Sequence, residues 1–352
     1  MFTLSYVFVL LSFTCTVAMA GHPLHGHPHL RSRKHYSHSN SARNVTARAP
    51  AAKAGPLTLV DKYSGQTFFD EWDFFTAPDP THGNVQYVSR EEATGSGLAT
   101  VGADGVAVIS VDDTNQVPVG GQRKSVRISS QKHYNGGLFV MDANAMPTGC
   151  ATWPAFWTVT AQNWPSNGEI DIVEGVNTQT RNQMTLHTGD GCTLDANARP
   201  APGKKQAFTG KLLSTTCNAL VNSNGGCGVS AAEDNTFGPI ESKGGAVYAM
   251  LWDSVGIRVW NFARSEVPQD LTNGAPNPSI WPVPDAFWST TTCNVDDFFN
   301  DHVIVINTTL CGDFAGALYQ SDGCPATCAE HIADPNNFTN AKWKINYVAV
   351  YN

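Results

Sequence analysis

Beyond its first twenty residues this 352-residue chain has no long apolar run, and a helical membrane span needs about 18 to 20 consecutive apolar residues. The leading stretch from Leu4 to Val17 is too short for that, and it ends in the small-residue triplet Ala18-Met19-Ala20. Residues 1–20 are therefore expected to be a secretory signal peptide cut before Gly21, with no membrane as a partner. Acidic residues are missing from the first 55 positions, where residues 21–55 carry six histidines and six Lys or Arg among Ser and Pro. So little apolar surface cannot offset the entropy of ordering, so 21–55 reads as a disordered propeptide or linker. Its Arg31-Ser32-Arg33-Lys34 run is a candidate processing site.

Basic residues are scarce in the rest of the chain. From residue 56 onward sixteen Lys and Arg stand against thirty Asp and Glu, a difference of −14, which argues against nucleic acid or an anionic surface as partner. Cys-x-x-Cys pairs are absent as well, the nearest approach being Cys324-Pro325-Ala326-Thr327-Cys328. Without such pairs or clustered histidines a zinc framework is not expected, and neither a metal nor a cofactor is assigned. Helical periodicity is also thin. What recurs instead is short apolar or alternating runs between Gly, Pro, Asn and Asp clusters: Gly105 to Val111, Ser125 to Ser130, Gly137 to Met141, Glu169 to Val173, Ala246 to Trp252, Gly256 to Phe262, His302 to Leu310 and Trp343 to Tyr351. Many short strands with frequent turns predict an all-β sandwich or barrel, as one domain over 56–352 with the last run inside a sheet.

Eight cysteines remain once Cys15 leaves with the leader. An even set in an exported chain predicts four disulfides around the 192–227 and 293–328 loops, although eight cysteines allow 105 pairings and the sequence does not choose among them. Asn44-Val-Thr46, Asn307-Thr-Thr309 and Asn337-Phe-Thr339 have the form of N-glycosylation acceptors.

The most informative segment is Asn167-Gly-Glu169-Ile-Asp171-Ile-Val-Glu174-Gly175. In a strand Glu169 and Asp171 share one face, and Glu174, five residues after Glu169, falls on the other. A one-residue β-bulge near Ile172 or Val173 restores the phase, and bulges are common beside active sites. Three carboxylates would then stand in a row. A retaining glycosidase needs two carboxyl groups roughly 5 to 5.5 Å apart, one to attack the anomeric carbon and one to protonate the leaving oxygen. Crowding also raises a pKa, as a general acid requires. A solvated acidic face and a calcium site are the plainer readings of the same pattern. Against them stand Trp153-Pro-Ala-Phe-Trp157 and Trp164 just upstream, flat aromatic faces of the kind on which sugar rings stack.

The run Cys150-Ala-Thr-Trp153-Pro-Ala-Phe-Trp157, then Trp164-Pro, then Asn167-Gly-Glu-Ile-Asp-Ile-Val-Glu174-Gly-Val-Asn177 and Met184-Thr-Leu-His187-Thr, resembles the core of family 16 glycoside hydrolases. The likeness is nearest to fungal laminarinase-like endo-β-1,3(4)-glucanases and spans roughly Leu59 to Asn352. It implies a β-jelly-roll sandwich of two antiparallel sheets with a concave substrate cleft. It implies Glu169 as nucleophile, Glu174 as general acid/base and Asp171 as helper, with Trp153, Trp157, Trp164 and His187 lining the cleft. Arg127 and Asn135 are expected on the same groove, and Trp260 in the core. The implied substrate is a β-glucan polysaccharide or oligosaccharide, cut at internal β-1,3 linkages by a secreted, monomeric enzyme. A wall-remodelling transglycosylase and a lectin-like module that has lost its chemistry are the alternatives. The spaced E-x-D-x-x-E form resembles laminarinases, whereas transferases acting on xyloglucan carry E-x-D-x-E.

Overall fold

Alternating apolar and polar residues build two antiparallel sheets of eight strands each, stacked face to face as in a jelly roll. The computed structural model describes residues 49–52 and 55–352. The signal peptide, the 31–34 basic run and the Asn44 acceptor lie outside them. Residues 49–52, at the end of the segment read as a linker, are tied to the domain: the Ala49 amide donates to Asp296 Oδ1 at 2.7 Å and the Ala52 amide to Ser254 Oγ at 3.1 Å. No helix among the described residues is long and apolar enough to cross a membrane.

The first sheet runs Ala286–Ser289, Gly256–Ala263, Ala246–Asp253, Gly137–Ala145, Lys342–Tyr351, Ala107–Ser110, Ala99–Val101, with Leu59–Ser64 also paired to Lys342–Tyr351. The closing strand thus lies inside a sheet, as its apolar alternation predicted. The second sheet runs Lys211–Leu212, Cys227–Ser230, Gln183–His187, Glu169–Glu174, Thr152–Thr160, His302–Leu310, Arg127–Ser130, Trp72–Phe74. Thr152–Thr160 is a central strand that is not among the runs the sequence singled out, and it contains Pro154. The structure accommodates that proline at a margin: Pro154 lies opposite Thr308 on one side, while on the other the pairing stops at Ala155 opposite Glu174. No ladder partner on that side waits for the missing N–H.

Between the sheets lies a core that includes Trp72, Phe139, Phe156, Ile170, Ile172, Trp252, Ile304, Ile306 and Trp343. Ile170, Ile172 and Val173 are fully buried, each stabilising the fold by roughly 1.5 to 3 kcal/mol. These three residues anchor the acidic strand from behind. Trp260 is buried as expected, but in a second cluster with Phe262 and Trp281 rather than between the sheets. Four disulfides form: Cys150–Cys324, Cys192–Cys293, Cys217–Cys227 and Cys311–Cys328. Two of them close local loops, and the other two join segments 101 and 174 residues apart.

Candidate active site

The Glu169–Glu174 strand sits between Thr152–Thr160 and Gln183–His187. Val159, Trp157 and Ala155 of the first partner lie opposite Glu169, Asp171 and Glu174 respectively. Those three partner residues alternate along their own strand and share a face, so the residues opposite them do too. Asp171 faces Trp157 and Val173 faces Phe156, which makes Ile172 the extra residue of a β-bulge. On the other edge, three steps from Asp171 to Glu174 match two from Thr185 to Gln183. The bulge stands where the spacing of the carboxylates required it, and all three acids project from the sheet's outer face.

A bulge leaves backbone groups that no ladder pairs, and buried ones must be satisfied. Asn182 does this. Its Oδ1 accepts from the Glu174 amide at 3.0 Å, and its Nδ2 donates to the Ile172 carbonyl and to Asn261 Oδ1 of the other sheet, both at 2.8 Å. Asn182 is fully buried. Sequence reasoning missed it, because nothing local links it to a bulge eight residues upstream.

The turn entering the strand is equally constrained. Gly168 has φ +87°, and a Cβ there would lie 2.3 Å from Phe299 Cδ1 and 2.5 Å from the Phe298 carbonyl oxygen. Only glycine combines that backbone with that approach. The Asn167 carbonyl accepts from the Asn300 amide at 3.1 Å and from His302 Nε2 at 2.8 Å, while Thr158 Oγ1 lies 2.9 Å from His302 Nδ1. Burial holds the His302 pKa down at about 4. The ring is neutral, donating from Nε2 and accepting at Nδ1 from the Thr158 hydroxyl. His302 is a second residue that the sequence reading left out.

Each outer carboxylate receives one indole N–H. Trp164 Nε1 donates to Glu169 Oε2 and Trp153 Nε1 to Glu174 Oε1, both at 2.9 Å. Trp157 Nε1 donates instead to Asn307 Oδ1 at 2.8 Å. The Arg127 guanidinium lies 4.6 Å from the Phe75 ring centre and 5.0 Å from that of Trp157. The three tryptophans and Arg127 therefore gather on the carboxylate face, joined by Phe75, which the sequence did not single out. Asn135 is placed differently: its Oδ1 takes the Asp301 amide at 2.8 Å in the turn before His302, and no contact ties it to the carboxylates. Asn307 is 5% exposed, and its side-chain amide also donates to Tyr87 and Thr309. It is thus a wall of the site, closed to glycosylation in the folded chain, whereas Asn337 is exposed.

His187 completes the cluster. Its Nε2 lies 3.2 Å from Asp171 Oδ2 and 4.0 Å from Glu169 Oε1. Nδ1 lies 2.9 Å from Asn224 Oδ1. Burial alone would pull His187 down, but Asp171, Glu169 and Glu174 together raise its pKa to about 10. Glu169, Asp171 and His187 bring ligand-type atoms within 4.8 Å of one another. Protonated, His187 balances the charge of the carboxylates. Burial, then the charge of Asp171, raise Glu169 to about 7 against the lowering pull of His187, Trp164 and Arg127. The same two causes raise Glu174 to about 8 against His187 and Trp153. Both outer acids are held well above the ordinary carboxylate range.

Residues 72–351 match the family described as XgeA-like, catalytic GH16 domain. Among curated proteins the chain is 43% identical over 312 residues to the probable glycosidase C21B10.07 of Schizosaccharomyces pombe, covering 87% of this chain and 72% of that protein. It is 35% identical over 312 residues to the endo-1,3(4)-beta-glucanase xgeA of Emericella nidulans, covering 86% of this chain and 48% of that one. The chain thus spans less than half the length of that second relative. Among solved structures it resembles GH16 Laminarinase 16A of Phanerochaete chrysosporium, which carries 6-O-glucosyl-laminaritriose in donor and acceptor sites, at TM-score 0.79 and 37% identity over 84% of this chain and 99% of that one. It also resembles an elongating GH family 16 beta-1,3-glucosyltransferase, at TM-score 0.77 and 39% identity over 84% of this chain and all of that one.

Proposed function

The chain belongs to family 16 of the glycoside hydrolases, and from that membership we propose that it is a secreted, monomeric endo-β-1,3(4)-glucanase acting by double displacement with retention. The observation that carries this reading is the bulge that returns Glu174 to the face of Glu169, with one indole N–H on each outer carboxylate. Glu169 is the nucleophile: the charges of His187 and Arg127 and the Trp164 N–H favour its ionised form. Its carboxylate bonds to C1 from below as the C1–O bond breaks, and the Glu174 proton passes to the departing oxygen. Water then yields a proton to the Glu174 carboxylate and attacks C1 from above, releasing Glu169 and restoring the β configuration. Asp171, between them, orients Glu169 and holds His187 charged. Trp153, Trp157 and Trp164 offer faces for glucose rings, and the Arg127 guanidinium lies over the Trp157 ring. The names of the fungal relatives support a β-1,3(4)-glucan substrate. Four disulfides suit an oxidising compartment.

Azide tests the assignment of roles. In Glu174→Ala, Glu169 still forms the α-linked ester from a substrate whose leaving group needs no acid. Azide entering the vacated space then gives a β-glycosyl azide. In Glu169→Ala azide attacks an activated β-glucoside directly, giving the α-glycosyl azide. Products with these anomers exchanged would reverse the two roles, and near-parent activity in both variants would remove the acidic strand from the chemistry.

One observation favours a second reading: the likeness at 39% identity to an elongating β-1,3-glucosyltransferase. The ester intermediate serves transfer equally well if an acceptor sugar replaces water. Time-resolved analysis of laminarin oligosaccharides separates the two, since transfer gives chains longer than the substrate and hydrolysis only shorter ones. A module without chemistry would have lost an outer carboxylate, and both are present.

A further inference from the structure

The hairpin beside His187 turns through a run of left-handed residues. Asn222, Ser223 and Asn224 have φ of +53°, +54° and +61°, three consecutive left-handed residues of which none is glycine. Asn adopts the left-handed region readily, so the turn asks an unusual conformation of Ser223 alone. The Cys217–Cys227 disulfide closes the base of this hairpin. The Ala219 amide donates to the Thr188 carbonyl at 2.9 Å and the Thr188 amide to the Cys217 carbonyl at 2.8 Å, fastening its root to the strand end that carries His187. At its far root Gly226 has φ +57°, and a Cβ there would lie 2.8 Å from His187 Cε1 and 2.6 Å from the Leu186 carbonyl oxygen. The loop is therefore pressed onto the imidazole. Its one polar product on that ring is Asn224 Oδ1, 2.9 Å from Nδ1.

We infer that Asn224 is a positioning residue for the proposed glycosidase reaction, its side-chain carbonyl holding His187 doubly protonated and turned so that Nε2 faces the nucleophile and its helper. An imidazolium has two N–H groups and needs an acceptor for each. Asp171 Oδ2 at 3.2 Å, with Glu169 Oε1 at 4.0 Å, faces one, and Asn224 takes the other. Glu174 and Arg127 are the remaining charges that bear on the site. The charge on His187 helps Glu169 ionise beside Asp171. A ring without the Asn224 acceptor gives up its Nδ1 proton at lower pH. The left-handed turn is the means by which a short loop reaches the ring.

The test separates the acceptor from the turn. Asn224→Gly adopts a left-handed backbone freely but offers no side-chain acceptor, Asn224→Ala offers neither, and Asn224→Asp keeps an acceptor on a residue that tolerates the conformation. In a nitrogen-15 NMR titration of the imidazole in the intact protein, both ring nitrogens should be protonated at pH 7 in the parent, with Nδ1 losing its proton near pH 10. That loss should come about half a unit lower in both the Gly and the Ala variants, because Asn224 is exposed and water takes over part of its bond, and the Asp variant should return it toward the parent's. The ring stays charged at pH 7 in every variant, so kcat/KM and KM on laminarin should change little there. A merely structural role would leave the His187 titration of Asn224→Gly at the parental pH, and that result would overturn the inference. A parent inactive on every β-glucan would sink the proposed function while this readout still judged Asn224. A neutral His187 at pH 7 in the parent would refute the inference whatever the activity.

Discussion

Replacing Trp153 by Phe should move one limb of the pH profile and leave the other in place. For kcat/KM the acid limb reports ionisation of Glu169, raised to about 7, and the alkaline limb loss of the Glu174 proton, raised to about 8. The Trp153 indole N–H bonds Glu174 Oε1 at 2.9 Å. It stabilises the ionised form and so lowers that pKa. Phenylalanine keeps the aromatic face and removes the donor. A hydrogen bond to a charged group contributes about 1.5 to 3 kcal/mol, and Trp153 is only half-buried, so the lower end applies. At 1.36 kcal/mol per unit this is about one unit, upward, on the alkaline limb. Trp164→Phe acts on the other limb through Glu169 Oε2. Trp164 is 45% exposed, so water can take over its bond, and the rise should be about half a unit or less. Initial rates of reducing-sugar release from laminarin at low substrate, from pH 3 to 10, measure both. Trp153→Phe should widen the bell and Trp164→Phe narrow it. If Trp153→Phe moved the acid limb instead, Glu174 would be the nucleophile, and if neither limb moved, the indole contacts would not govern the carboxylates.

Two residues that the sequence reading missed give further expected outcomes. Asn182→Leu strands the Glu174 amide and the Ile172 carbonyl in a buried site, which should cost about 2 to 5 kcal/mol by urea unfolding. The surviving folded protein should lose activity beyond that loss of fold, and full activity per folded molecule would refute the role given to Asn182. His302, at about 4 in the fold against an ordinary 6.5, contributes stability that is complete above pH 6.5 and lost as pH falls toward 4, roughly 3 kcal/mol in all. The stability difference between parent and His302→Gln should therefore shrink over that interval, and a difference independent of pH would mean that His302 is not held neutral.

The sequence by itself determined a good deal here. The period of two in its apolar runs fixes strands, and the spacing of Glu169, Asp171 and Glu174 fixes a carboxylate row, because an odd spacing on one face forces a bulge. Those inferences are local: a pleated strand has only two faces, so residue spacing alone decides which side chains can meet. That Pro154 sits in a central strand depends on where the neighbouring strand stops, which residue spacing does not show. The four disulfide pairings, the clamp of Asn182 on the bulge, the support of Asn167 by His302 and the removal of Asn307 from the surface were settled only by tertiary structure. Each joins chain segments whose separation carries no pattern, from eight residues for Asn182 and Glu174 to 174 for Cys150 and Cys324. The raised carboxyl pKa values belong to the same class, since burial and the approach of His187 across a strand, not the identity of the residues, determine which acid keeps its proton.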